Sequence, residues 1–221
     1  MQPFQIPDSL KGLIEYYPSA DCLRSALSRM NPVDRSWFLR LWLTEGIPFA
    51  FRYEPAVYEA VRDWLAGKIR VRVKDITLIG SGRIGYSLAP EEFGRSFRPG
   101  SDLDFTVVAS NLFFTMQDAF DRWKTDVAIG RALPNNPQEQ RYWPDNLERL
   151  PMNIQRGFVD ASKIPYRYHP LGKIMWELKA KLDATSDNLK VRGASVRIYR
   201  DWDSFERQLT LNLRETGRSL N

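Results

Sequence analysis

Residues 75–108 constrain this chain more than any other stretch. An apolar run with Ile76, Leu78 and Ile79 ends at Gly80-Ser81. A second run opens with Asp102-Leu103-Asp104 and continues through Phe105, Thr106, Val107 and Val108. Short runs of this composition, bounded by glycine and proline, read as strands. Side chains on a strand alternate between its two faces. Asp102 and Asp104 therefore share a face, with Cα atoms roughly 6–7 Å apart. Leu103, Phe105 and Val107 share the other face and suit a core. Two carboxylates aimed into one space repel each other. A divalent cation removes that repulsion, and magnesium prefers oxygen ligands.

A strand, a Gly-Ser turn and an Asp-x-Asp at the start of the next strand resemble the DNA polymerase β-like nucleotidyltransferase superfamily. Gly80, Ser81, Asp102 and Asp104 carry the likeness, which is strong over residues 75–108 and loose beyond them. It implies an α+β fold with a small mixed β-sheet of the nucleotidyltransferase type, a helical N-terminal segment and covering helices. It implies that Gly80 and Ser81 hold the phosphates of a nucleoside triphosphate. It also implies two magnesium ions, or manganese, held by Asp102, Asp104 and a third acid on a later strand. The activity implied is transfer of a nucleoside monophosphate from an NTP or dNTP to a hydroxyl acceptor, with release of pyrophosphate. Two metals serve such in-line displacement by activating the attacking oxygen and stabilising the leaving one. The acceptor implied is a nucleic-acid 3′-OH, a second nucleotide or a protein hydroxyl. The small size resembles stand-alone bacterial members in toxin–antitoxin and anti-phage defence loci. The alternative is an inactive nucleotide- or nucleic-acid-binding module of the same fold.

The chain departs from the family's pattern in two places. Residues 82–101 separate the turn from the acids, a longer gap than usual. Residues 88–100 within it read as a loop, with two prolines and two glycines. Immune-type nucleotide cyclases often carry Gly-Ser-x-x-x-Gly-Thr, and here Tyr86 follows Gly85.

Asp160 is the expected third acid. It lies in an apolar run that ends at Pro165, with Phe158, Asp160 and Ser162 on one face, and its strand is expected beside the Asp-x-Asp strand. Asp126 and Asp145 are weaker rivals in helical or loop-like surroundings. Arg83, Arg95 and Arg98 border the expected site, and Arg83 is placed among its nucleotide-binding residues because guanidinium suits phosphate. Lys173, with Lys179 as alternate, is the basic residue that the family often places on the helix after the third acid. His169, the lone histidine, reads as structural.

Gly80-Ser81-Gly82-Arg83-Ile84-Gly85 also matches the dinucleotide-binding G-x-G-x-x-G, with Asp102 about 20 residues on. That reading needs a helix after the glycines, where residues 88–100 are too rich in proline and glycine. It also needs its acid at the end of the second strand, and Asp102 stands at the beginning. Some 70 mainly helical residues precede a strand that should open the fold.

With 221 residues, 43% of them hydrophobic, the chain can bury a sizeable core. Cys22 is the single cysteine, so no internal disulfide or zinc cluster is available. No leader-like N-terminus and no apolar run of spanning length is present, so a cytoplasmic protein without membrane contact is expected. Residues 151–221 hold 13 Lys/Arg and 8 Asp/Glu, against 19 of each in residues 1–150. The net charge of +5 is therefore C-terminal, which suits a polyanionic partner.

The division expected is a helical segment over 1–70 and a nucleotidyltransferase-like core over 71–221. Within the first, 8–30 reads as two short helices split at Pro18. A helix capped by Asn31-Pro32 follows, then one that opens at Pro55 and stops at Gly67. Phe113, Met116, Phe120, Trp123 and Val127 recur at helical spacing. Residues 134–152, with four prolines, read as a long loop. A helix over 171–184, a strand over 190–200 and a last helix bearing Trp202, Phe205, Leu209 and Leu213 complete the expectation.

Overall fold

A computed structural model of the protein describes residues 4–220. Its sheet has four strands: β1 (Ile76–Ile79), β2 (Asp102–Val108), β3 (Phe158–Asp160) and β4 (Gly193–Tyr199). The order is β1-β2-β4-β3. β2 and β4 run parallel, and the two outer pairs are antiparallel. With its covering helices this is the α+β architecture expected from the sequence.

Period-two alternation divides the sheet into unlike faces. Leu78, Leu103, Phe105, Val107, Val159, Val196 and Ile198 form an apolar face. Helices α3 (Pro55–Ile69), α5 (Ser110–Ala128), α6 (Pro137–Gln155) and α7 (Leu171–Thr185) supply most of the rest of that core. Trp123, Phe105 and Phe113 are almost fully enclosed there. Burial of each such aromatic is worth about 2–3 kcal/mol.

The opposite face is mixed. Val108, Phe158 and Tyr199 at one end pack with α8 (Trp202–Ser219), α1 (Ala20–Leu27) and α2 (Pro32–Phe38) in a second core. The other end carries Asp102, Asp104, Ser195, Arg197 and Asp160. The N-terminal segment enters both cores, Leu65 in one and Leu23 and Phe38 in the other. The boundary near residue 70 thus marks a change in secondary structure within shared packing.

Local expectations hold where caps are explicit. Asn31 accepts from the Val33 and Asp34 amides, and Asp34 accepts in return from the Asn31 amide. Three expectations fail. Residues 8–18 form turns, and α1 begins after Pro18 with Ser19 as its cap. α3 runs through Gly67 to Ile69 and ends at Arg70, whose φ of 58° is left-handed. Residues 137–155 are a helix, not a loop. Pro137 sits in its first turn, and Pro144 and Pro151, seven residues apart, lie on its solvent side. Trp143, Leu147, Leu150 and Ile154 face the core, and that stripe offsets two interior prolines that each cost about 3 kcal/mol. Residues 88–100 hold a 3₁₀ turn, Pro90–Glu92, and an isolated bridge from Ser96 to Tyr86, and no α-helix. No helix among the described residues is long and apolar enough to cross a membrane.

Candidate active site

The polar end of the sheet opens into a cleft of about 520 Å³. Its floor is Asp104, Ser195, Arg197 and Asp160. Gly80 and Ser81 form one wall, the loop around Ser87, Pro90 and Arg95 another, and Leu209, Asn212 and Thr216 of α8 a third.

The turn and the acids are joined by strand register. Ile79 pairs with Asp104, so the chain leaving β1 passes directly over that carboxylate. Gly80 has φ 68° and ψ −155° there, and a Cβ on it would meet Asp104 Oδ2 at 2.9 Å. The backbone conformation demands glycine, and a side chain there would also have to displace the Asp104 carboxylate. Ser81 then opens a single helical turn, α4 (Ser81–Ile84).

Asp102 and Asp104 lie on one face of β2, as the alternation requires. Asp104 Oδ1 accepts from Ser195 Oγ at 2.8 Å, and β4 places Ser195 directly across from it. Burial raises the Asp104 pKa above the usual carboxylate range, and the Asp102 charge adds to the rise despite the Ser195 hydrogen bond. Asp102 is more open. It accepts from Arg192 Nε at 3.1 Å and also from Arg192 Nη2.

Asp160 lines the same cleft, but from a strand that is not beside β2. The strand expected beside β2 is at the sheet edge, with β4 between them. Asp160 pairs in register with Arg197 and accepts from its Nε at 2.5 Å and its Nη2 at 3.3 Å. Lys163 Nζ lies 3.8 Å from the same carboxylate. Burial works against the charge on Arg197, but Asp160 beside it holds the guanidinium firmly protonated.

Two basic expectations are corrected. Arg83 is buried and turns away from the cleft, donating to the carbonyls of Trp42 at 2.9 Å and Gly46 at 2.8 Å. Lys173 is exposed on α7, which covers the opposite, apolar face of the sheet, and it does not line the cleft. The rival acids are engaged elsewhere: Asp126 accepts from Tyr168 and Arg131, and Asp145 pairs with Arg149. His169 is structural. Its Nε2 donates to the Ile164 carbonyl and its Nδ1 accepts from the Leu171 amide.

Ser195, Arg197, Arg192 and Asn212 were missed by the sequence reading. The alternation in residues 193–199 shows which of them share a face, but nothing local says that this strand inserts beside β2. Three of the C-terminal cations, Arg192, Arg197 and Arg200, are spent on Asp102, Asp160 and Asp201.

The donor set suits a hard cation at one point. Asp102 and Asp104 offer oxygen only, and Asp104 is a partly desolvated carboxylate whose sole hydrogen-bond donor among the described residues is a neutral hydroxyl. Among the described residues, no group of three or more His, Cys, Asp or Glu side chains is placed to hold a metal ion. No family model, curated protein or solved structure matches this chain.

Proposed function

We propose that the protein is a divalent-metal-dependent nucleotidyltransferase that moves a nucleoside monophosphate from an NTP or dNTP to a hydroxyl. The observation that carries the reading is the close approach of the Gly80 backbone to Asp104, which puts the Gly80-Ser81 turn and a carboxylate without a cation of its own in one cleft, with Asp102 two residues away on the same face of β2. Asp102 and Asp104 would hold magnesium or manganese. Bound metal would cancel the charge of carboxylates and triphosphate and polarise the α-phosphate. Gly80 admits phosphate oxygens close to the backbone, and the Ser81 hydroxyl donates to one of them. Asn212 and Arg95 on the walls orient the rest of the nucleotide. The acceptor oxygen bonds the α-phosphorus as the bond to pyrophosphate breaks, and the hydroxyl proton passes to solvent water. A cytoplasmic location, where triphosphates are abundant, belongs to the same proposal.

A second reading, a nucleotide-binding module without turnover, is favoured by one observation: Asp160 is already neutralised by Arg197. Incubation with each labelled NTP and dNTP, with magnesium or manganese, separates the two. Metal-dependent pyrophosphate release supports transfer. Metal-dependent binding without release supports the module. Neither outcome with any nucleotide overturns both.

A further inference from the structure

We propose that Arg197 is a resident cation of the cleft, standing where a second divalent ion would otherwise act, so that the site takes one ion. The proposal rests on the reading of Asp102 and Asp104 as a metal-holding pair.

The strand beside β2 is β4, and its side chains on the cleft face are Ser195, across from Asp104, and Arg197, across from Thr106. A neutral hydroxyl and a cation thus occupy the row where a site for two ions needs a carboxylate. Asp160, the remaining acid on this face of the sheet, lies beyond Arg197. Two strand spacings separate it from β2, roughly 10 Å of sheet. Carboxylates that share a magnesium ion bring their oxygens within about 4 Å, because each oxygen lies about 2.1 Å from the metal.

Arg197 is fixed rather than swinging. Its planar fork takes the Asp160 carboxylate through two nitrogens, and its guanidinium carbon lies 5.0 Å from the centre of the Phe158 ring. The side chains of Asp160 and Arg197 are only 14% and 31% exposed. A fork-to-carboxylate pair in such surroundings holds its geometry well. Charge leads to the same count. Arg197 cancels Asp160. The Arg192 side chain, 74% exposed, can leave Asp102 for solvent at little cost. On the sheet itself the charge left is that of Asp102 and Asp104, which one divalent ion neutralises; of the acids on the cleft walls, Glu92 is paired with Arg95 and Glu215 stands on α8.

Manganese titrated in excess over inorganic tripolyphosphate, with bound metal counted by equilibrium dialysis and its coupling read by electron paramagnetic resonance, tests this. One ion per chain with an uncoupled signal is expected. Two ions, or a spin-coupled pair, overturn the assignment of Arg197 and leave the metal site standing. No bound manganese overturns both. The double variant Asp160→Asn/Arg197→Met removes the pair without stranding a charge. It should still bind one ion, with affinity within about threefold of the parent, because the pair lies outside the coordination sphere. Loss of the ion in that variant would place Asp160 among the ligands and overturn the proposal.

Discussion

Two corners of one sheet face hold the same residue type and treat it in opposite ways. At the β3–β4 corner, Asp160 is matched by Arg197 across the strand pair, with Lys163 nearby. At the β1–β2 corner, Asp104 is half-buried beside a like charge, under a glycine, with only Ser195 among the described residues to donate to it. A carboxylate with its cation built in completes the fold. A carboxylate left short of one is held in an unfavourable state by packing elsewhere, and a ligand can relieve it. The contrast separates an acid matched by a cation from an acid left without one, although both stand on a strand at the floor of one cleft.

The strongest way to break this contrast is to remove the unmatched acid. Asp104→Asn should lower pyrophosphate release by at least about 10²-fold, the scale on which a lost charge-stabilising group acts. Activity within tenfold of the parent would show that Asp104 is not a metal ligand. At the other corner the expected loss is stability. Arg197→Ala leaves Asp160 half-enclosed without its fork, at a cost of about 3 kcal/mol in urea unfolding. Most of that should return in Asp160→Asn/Arg197→Met, and a single variant as stable as the parent would mean that the pair is only a surface bridge.

Arg83 sharpens the point from the cation side. Arg83→Met deprives the carbonyls of Trp42 and Gly46 of their donor and should cost about 2 kcal/mol. If it weakened tripolyphosphate binding while leaving stability unchanged, the arginine would belong to the cleft after all. A smaller effect runs in the opposite direction. The pKa of Asp104 is raised by folding, so the folded chain holds that proton more tightly than the unfolded chain. Stability must then fall as pH rises from the unfolded value, near 3.8, through the folded one. Asp104→Asn removes that fall and should raise the melting temperature at neutral pH without metal; a drop would mean that Asp104 is stabilising. Lys173→Ala should change neither release nor stability by more than about 0.5 kcal/mol, and a clear loss of nucleotide binding would return that residue to the site.

What the sequence disclosed was local in range. Asp102 and Asp104 were placed on one face by alternation alone, and Gly80-Ser81 was placed at the end of the preceding strand by its punctuation. The α5 stripe of Phe113, Met116, Phe120 and Trp123 was legible for the same reason. The helix at 137–155 was obscured by its prolines, although Trp143, Leu147, Leu150 and Ile154 carry the helical period in plain view. Asp160 went astray for a different reason. Its face was readable, but its neighbour was not, because strand order is decided by long-range packing that no window of sequence contains. Arg83 likewise sits beside the glycine turn in sequence, yet its partners are residues 42 and 46, reached only after the chain has folded.

The placement of β4 has a consequence in time. This strand is central in the sheet, yet it is the last of the four in the chain, and its partner β2 lies about 90 residues earlier. Pairing them closes a long loop, a kind of contact that forms late and slowly. On the ribosome, β1 and β2 emerge as a bare two-stranded ribbon, which is marginal at best by itself. Neither Ser195 nor Arg197 can reach the acids until residue 199 and the α8 that packs over it have been made. A nascent chain therefore carries Asp102 and Asp104 behind the Gly80-Ser81 turn through about 90 further residues of synthesis before Ser195 and Arg197 can complete the floor of the cleft.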